Sequence, residues 1–160
     1  SDVNGDGITE LPRAVLMAGY KDTSSSDAVY MLDWYAYGIG KVPAKVATTY
    51  QNISDAWSLL IDQKWHDRIT AIKANDGGLS YVEFFEYRKN KMSIPLFNIY
   101  CATGSNREYY AERTDLIQLG QTTQAIYFAK LTNEGEQSEL ALTGDEIKAR
   151  FSLVNQAWNN

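Results

Sequence analysis

The chain contains one cysteine, Cys101, and one histidine, His66. A single thiol closes no internal disulfide, so cysteine usage does not identify the redox compartment. No Cys-x-x-Cys, His-Glu-x-x-His, Gly-x-Ser-x-Gly elbow or phosphate-binding glycine loop occurs. The commonest zinc, hydrolase and nucleotide signatures are therefore missing. Long apolar runs are missing too. The longest, Ile94 to Ala102, is strand-length and broken by Pro95 and Asn98, far short of the roughly 20 residues of a spanning helix. Lys and Arg form no cluster longer than the short Arg88-Lys89-Asn90-Lys91 run, and 15 basic against 20 acidic residues give a net charge of −5. Such a balance repels phosphate backbones, so nucleic acid is not an expected partner.

The 160 residues suit one domain with a short appendage, and 44% apolar with 22% charged residues is an ordinary globular balance. The chain opens at Ser1 without an initiator Met or signal sequence and runs straight into a motif, as a piece of a longer polypeptide would.

Residues 1–12, Ser-Asp-Val-Asn-Gly-Asp-Gly-Ile-Thr-Glu-Leu-Pro, form an acidic, glycine-rich loop, and the polar stretch from Lys21 to Asp27 reads as a linker or exposed turn. Beyond it, β-branched and aromatic residues recur in short runs bounded by turn residues. Seven strands are expected: Val29 to Tyr37, Val42 to Tyr50, Ala56 to Asp62, Ile69 to Asn75, Leu79 to Tyr87, Ile94 to Ala102 and Thr123 to Leu131. The short Asp76-Gly77-Gly78 and Gly38-Ile39-Gly40-Lys41 connections favour hairpins. Leu79 to Tyr87 reads as apolar on both sides, so part of the sheet should be covered twice. A capping box, Thr143 with Glu146, starts a helix whose apolar stripe runs through Ile147, Phe151, Val154 and Trp158. A shorter helix is expected across Ser105 to Arg113. The pattern predicts an α+β fold, a curved antiparallel sheet of about seven strands packed by a C-terminal helix, with the loop ahead of it.

The loop carries the one motif with a mechanism. Asp2, Asn4 and Asp6 place oxygen side chains at alternate positions, Gly7 permits a sharp turn, and Glu10 closes the set. Ca²⁺ takes six to eight oxygens. The expected ligands are the side chains of Asp2, Asn4, Asp6 and Glu10 and the backbone carbonyl of Ile8, with water completing the shell. A helical EF-hand is excluded: loop position 12 counted from Asp2 is Arg13, not Glu, and Pro12 discourages a helix leaving the loop.

The acidic loop followed by Leu11-Pro12 resembles the closing signature of FG-GAP or VCBS-type β-propeller repeats in bacterial surface proteins. The remainder resembles the domain that follows those repeats, many of them in secreted lipoproteins. The similar runs are Thr49 to Asn52, Ile61 to Trp65, Leu96 to Tyr100, Ile126 to Leu131 and Leu142 to Ile147. A looser strand and Trp pattern is similar to the PsbP-like fold. The resemblance implies that residues 1–20 are a calcium-type loop and the tail of an upstream propeller-like repeat, and that residues 21–160 are the α+β domain. It further implies a secreted or cell-surface location, lipid-anchored through a preceding segment, and a calcium role for the five loop positions. The implied partners are the upstream domain of the same chain and a surface glycan or protein. No catalytic residue comes with it, so the expected function is a non-catalytic accessory, adhesive or structural domain.

Other residues are read as structural. His66, between Trp65 and Asp67, fits a solvated turn, and Cys101 fits a small buried thiol. Glu83 and Glu86, three apart on a strand, point to opposite faces and read as surface charge. Trp34, Trp57 and Trp65 read as core. The alternative function is a carbohydrate- or peptide-binding module gripping its ligand with exposed Trp and Tyr, given four Trp and eleven Tyr.

Overall fold

The protein is described from a computed structural model covering residues 1–22 and 26–154. Its chain folds into strands β1 (Glu10–Leu16), β2 (Tyr30–Ala36), β3 (Ala44–Asn52), β4 (Trp57–Leu60), β5 (Ile69–Asp76), β6 (Leu79–Arg88) and β7 (Lys91–Thr103). Helix α1 (Glu108–Ala111), strands β8 (Ile117–Gln121) and β9 (Ala125–Leu131), helices α2 (Asn133–Glu136) and α3 (Gly144–Arg150), and strand β10 (Phe151–Leu153) follow.

These strands form two antiparallel five-stranded sheets, in the orders β1-β2-β3-β4-β10 and β5-β6-β7-β9-β8. This corrects the expected α+β fold with one curved sheet of about seven strands under a C-terminal helix: the fold is mostly β, and its helices are short. The helix expected through Trp158 stops at Arg150. Phe151 is already extended, at φ −82° and ψ 138°, and pairs with Leu59 of β4. Ile147 and Phe151 both reach the core, one from a helix and one from a strand, which is how strand residues mimicked a helical stripe. Trp158 lies outside the described residues. The capping box is present: the Thr143 hydroxyl accepts the Glu146 N–H, and the Glu146 carboxylate accepts the Thr143 N–H. The helix expected over Ser105 to Arg113 narrows to the single turn of α1.

The core lies between the sheets. Tyr50, Trp57 and Leu59 of the first face Phe84, Phe97 and Ile99 of the second, all essentially without exposure. Tyr50 meets Phe84 edge-on at 5.5 Å, and Phe151 meets Tyr127 at 5.7 Å. Each such side chain contributes about 1.5–3 kcal/mol by leaving water. Strand β6 alternates, with Val82, Phe84 and Glu86 buried and their neighbours partly exposed. The outer face of the second sheet is covered in part by the segment after β7, where Tyr110, Phe128 and Tyr100 stack at 5.2 and 4.9 Å.

Two-residue turns hold the meander together. At Asp76-Gly77-Gly78-Leu79, Gly77 sits at φ 62°, and a Cβ on Gly78 would come within 2.9 Å of the Thr103 carbonyl. Lys89 and Asn90, at φ 52° and 61°, turn β6 into β7. Among the described residues, no helix is long and apolar enough to cross a membrane.

Strand β1 positions the acidic loop. It pairs with β2 over seven residues, from Glu10 opposite Ala36 to Leu16 opposite Tyr30, and forms one edge of the first sheet. Its continuation is tied down: Met17 is fully buried, and the Tyr20 hydroxyl donates to the Ala71 carbonyl of β5 at 2.6 Å.

Candidate metal centre

The loop is closed at its base by the Glu10 N–H donating to the Ser1 carbonyl at 2.7 Å. Inside it, the Asp2 carboxylate gathers backbone donors: Gly5 and Asp6 N–H reach Oδ1 at 2.7 and 3.1 Å, and Gly7 N–H reaches Oδ2 at 2.8 Å. Gly5 and Gly7 adopt φ 78° and 83°, a region that L side chains enter only with strain. The glycine spacing thus folds the amides inward around an anion.

Asp6 occupies the middle. Its Oδ1 accepts the Ile8 N–H at 2.8 Å and its Oδ2 accepts the Asn4 side-chain amide at 3.0 Å, while Asn4 Oδ1 accepts the Asp6 N–H at 3.0 Å. Glu10, at the first position of β1, is 0% exposed. Its Oε2 accepts the Val3 N–H at 2.8 Å, but its Oε1 is buried without a hydrogen-bond partner. Carboxylate oxygens of Asp2, Asp6 and Glu10, two exposed side chains and one buried, lie within 4.8 Å of one another.

Of the five residues singled out from the sequence, Asp2, Asp6 and Glu10 are brought together. Asn4 joins through Asp6, and Ile8, about half exposed, follows the turn. The burial of Glu10 was not legible in its spacing; it goes with residues 1–9 folding back onto the start of β1, where Val3 N–H meets its Oε2 and the Ser1 carbonyl meets its N–H. The Gly7 N–H acts most strongly on Asp2, and although desolvation opposes it, the amides of Gly5, Asp6 and Asn4 add to it, holding Asp2 below its usual carboxylate range. Among the described residues, none of the three carboxylates forms a side-chain ion pair with Lys or Arg. Three clustered carboxylates with unused lone pairs and no Lys or Arg countercation match the donor set of a hard divalent ion.

No protein-family model, curated protein or solved structure matches the chain.

The remaining residues fall elsewhere. His66 is exposed, 3.3 Å from Asp67, and lines a different cleft from Cys101. Burial pushes the Cys101 thiol up to about 11, Asp55 adds to that, and hydrogen bonds with Tyr127 and Ser80 only partly oppose it. Glu83 and Glu86 do point to opposite faces, but Glu86 is not surface charge: it is 2% exposed, paired with Arg88, and accepts the Ser138 hydroxyl at 2.8 Å. Trp34, Trp57 and Trp65 are buried, and the exposed aromatics among the described residues are Tyr30, Tyr37 and Tyr109.

Proposed function

We propose that residues 2–10 bind one calcium ion, and that the domain is a non-catalytic accessory or structural module of a secreted or surface-anchored protein. The observation that carries this reading is the buried, unpartnered Glu10 oxygen set beside the Asp2 and Asp6 carboxylates. A carboxylate oxygen withdrawn from water needs a partner, and a divalent cation between the three side chains supplies it. Asn4 and the Ile8 carbonyl extend the shell.

The site is half open, with Asp2 and Asp6 exposed, which suits the weak calcium modules that work at about 10⁻⁴–10⁻³ M. Such a site fills only where calcium is millimolar, outside the cell. Calcium there orders backbone: it fixes the start of the edge strand β1 against whatever precedes it in a longer chain, with the domain held at the surface through that preceding segment. The non-catalytic reading rests on the raised, buried Cys101 thiol and on His66, which faces solvent beside a carboxylate.

Calorimetric titration of calcium into chelator-stripped protein tests the reading. One ion per chain is expected, with the signal lost in Asp6→Ala. An unchanged isotherm in that variant, or no heat at millimolar calcium, refutes it.

A further inference from the structure

The sheet register places a second unusual feature beside the acidic loop. Glu10 pairs with Ala36, and Ala36 pairs with Ala44. Residues 1–9 and the β2–β3 connection, residues 37–43, therefore leave the same end of the first sheet side by side. That connection, Tyr37-Gly38-Ile39-Gly40-Lys41-Val42-Pro43, carries apolar side chains that packing ignores: Ile39 is 105% exposed, Val42 88% and Tyr37 55%. Ile8 and Leu11, about half exposed, extend the apolar surface from the loop side. Large apolar groups gathered at one extremity and fully offered to solvent mark an interaction site.

The charge at this end identifies the occupant. Across residues 1–13 and 33–45, Asp2, Asp6, Glu10 and Asp33 outnumber Arg13, Lys41 and Lys45 by one. A bound divalent ion turns this local balance from −1 to +1. The five expected calcium donors also leave about one to three of the ion's six to eight positions for oxygens from outside the protein. A surface that offers phosphate oxygens, negative charge and an apolar layer beneath them answers all three features.

We infer that the 37–43 tip and the loaded acidic loop together dock on an anionic phospholipid bilayer, with Ile39 and Val42 entering the interface and calcium bridging to lipid phosphate. This rests on the calcium reading above and extends it to a partner. Calcium acts twice, by removing the repulsion of the loop and by offering open coordination positions. Lys41, between the two apolar residues, is placed to meet headgroup phosphate as they insert.

The test is co-sedimentation with vesicles of phosphatidylcholine mixed with phosphatidylglycerol, and with pure phosphatidylcholine vesicles, in calcium and in chelator. Calorimetry on the same samples follows the ion separately. Binding is expected only to the anionic vesicles and only with calcium. Ile39→Ser combined with Val42→Ser, which leaves the local charge unchanged, should weaken it by about tenfold or more while leaving the lipid-free calcium isotherm unchanged. Calcium uptake without vesicle binding overturns the docking inference and leaves the calcium reading standing. Equal binding to neutral vesicles, or to vesicles by the double variant, also overturns it, as does a calcium-dependent dimer that forms through the tip. Absence of calcium uptake removes both readings together.

Discussion

Replacing Glu10 by Gln separates a metal ligand from a merely structural acceptor. The amide keeps an oxygen for the Val3 N–H, which now reaches Oε2 at 2.8 Å, and replaces the buried, unpartnered Oε1 by an NH2 group within reach of the Asp2 and Asp6 carboxylates as acceptors. In chelator the variant should melt above the wild type, because an unsatisfied buried polar group costs about 1–3 kcal/mol. At roughly 2–4 °C per kcal/mol for a chain of this length, that is a rise of about 2–12 °C. In calcium at a hundredfold excess over Kd, the wild type should gain about 2.7 kcal/mol, or about 5–11 °C, while the variant gains little. Differential scanning calorimetry of both proteins, in calcium and in chelator, yields the four midpoints. Equal calcium increments would place the ion elsewhere. A variant less stable by the same margin in both buffers would reduce Glu10 to a hydrogen-bond acceptor, and the reasoning from its buried oxygen would be wrong.

Trp57→Ala should lower stability by about 3–5 kcal/mol, read as a urea midpoint shift, since Trp57 is 1% exposed against Tyr50 and Phe151. Burial pushes Glu86 up, but hydrogen bonds from Arg88 and Ser138 and the field of Arg68 outweigh it and hold its carboxyl below the ordinary 4.5. Its stabilisation is therefore complete above 4.5 and is lost as pH falls through the lower folded value; the stability advantage of the wild type over Glu86→Gln should shrink across that acid range in urea titrations. Cys101, with its thiol raised to about 11 and buried, should resist a disulfide reagent at neutral pH in the native protein and react at once in denaturant.

Strands with a buried face announced themselves in the sequence. Those expected from Val29, Ile69 and Leu79 onward appear as β2, β5 and β6 with ends shifted by a residue or so. The edge strands β1 and β8 did not. β1 is exposed along most of its length and contains Pro12, so its residues read as loop; β8, Ile-Gln-Leu-Gly-Gln, is half polar and interrupted by Gly120. Hydrophobic periodicity specifies which face of a strand is buried, not which sheet the strand joins. The split into two sheets falls between β4 and β5, at the turn Gln63–Trp65, where Asp62 caps the Lys64 N–H and Trp65 enters the core. For the acidic loop, the alternating donors were visible in the residues, whereas the withdrawal of Glu10 from solvent goes with the fold-back of residues 1–9, which closes on Glu10 through Ser1 and Val3. Glu86 was misplaced for the same kind of reason: its burial depends on Ser138 and Arg88 arriving from other parts of the chain and strand.

The central claim, that a divalent ion sits among Asp2, Asp6 and Glu10, is tested most directly by crystallography of the protein grown in millimolar calcium, with data collected for anomalous scattering. One anomalous peak is expected about 2.3–2.6 Å from oxygens of all three carboxylates, with Glu10 Oε1 among them. A well-ordered loop holding only water at that position under the same calcium concentration would contradict it.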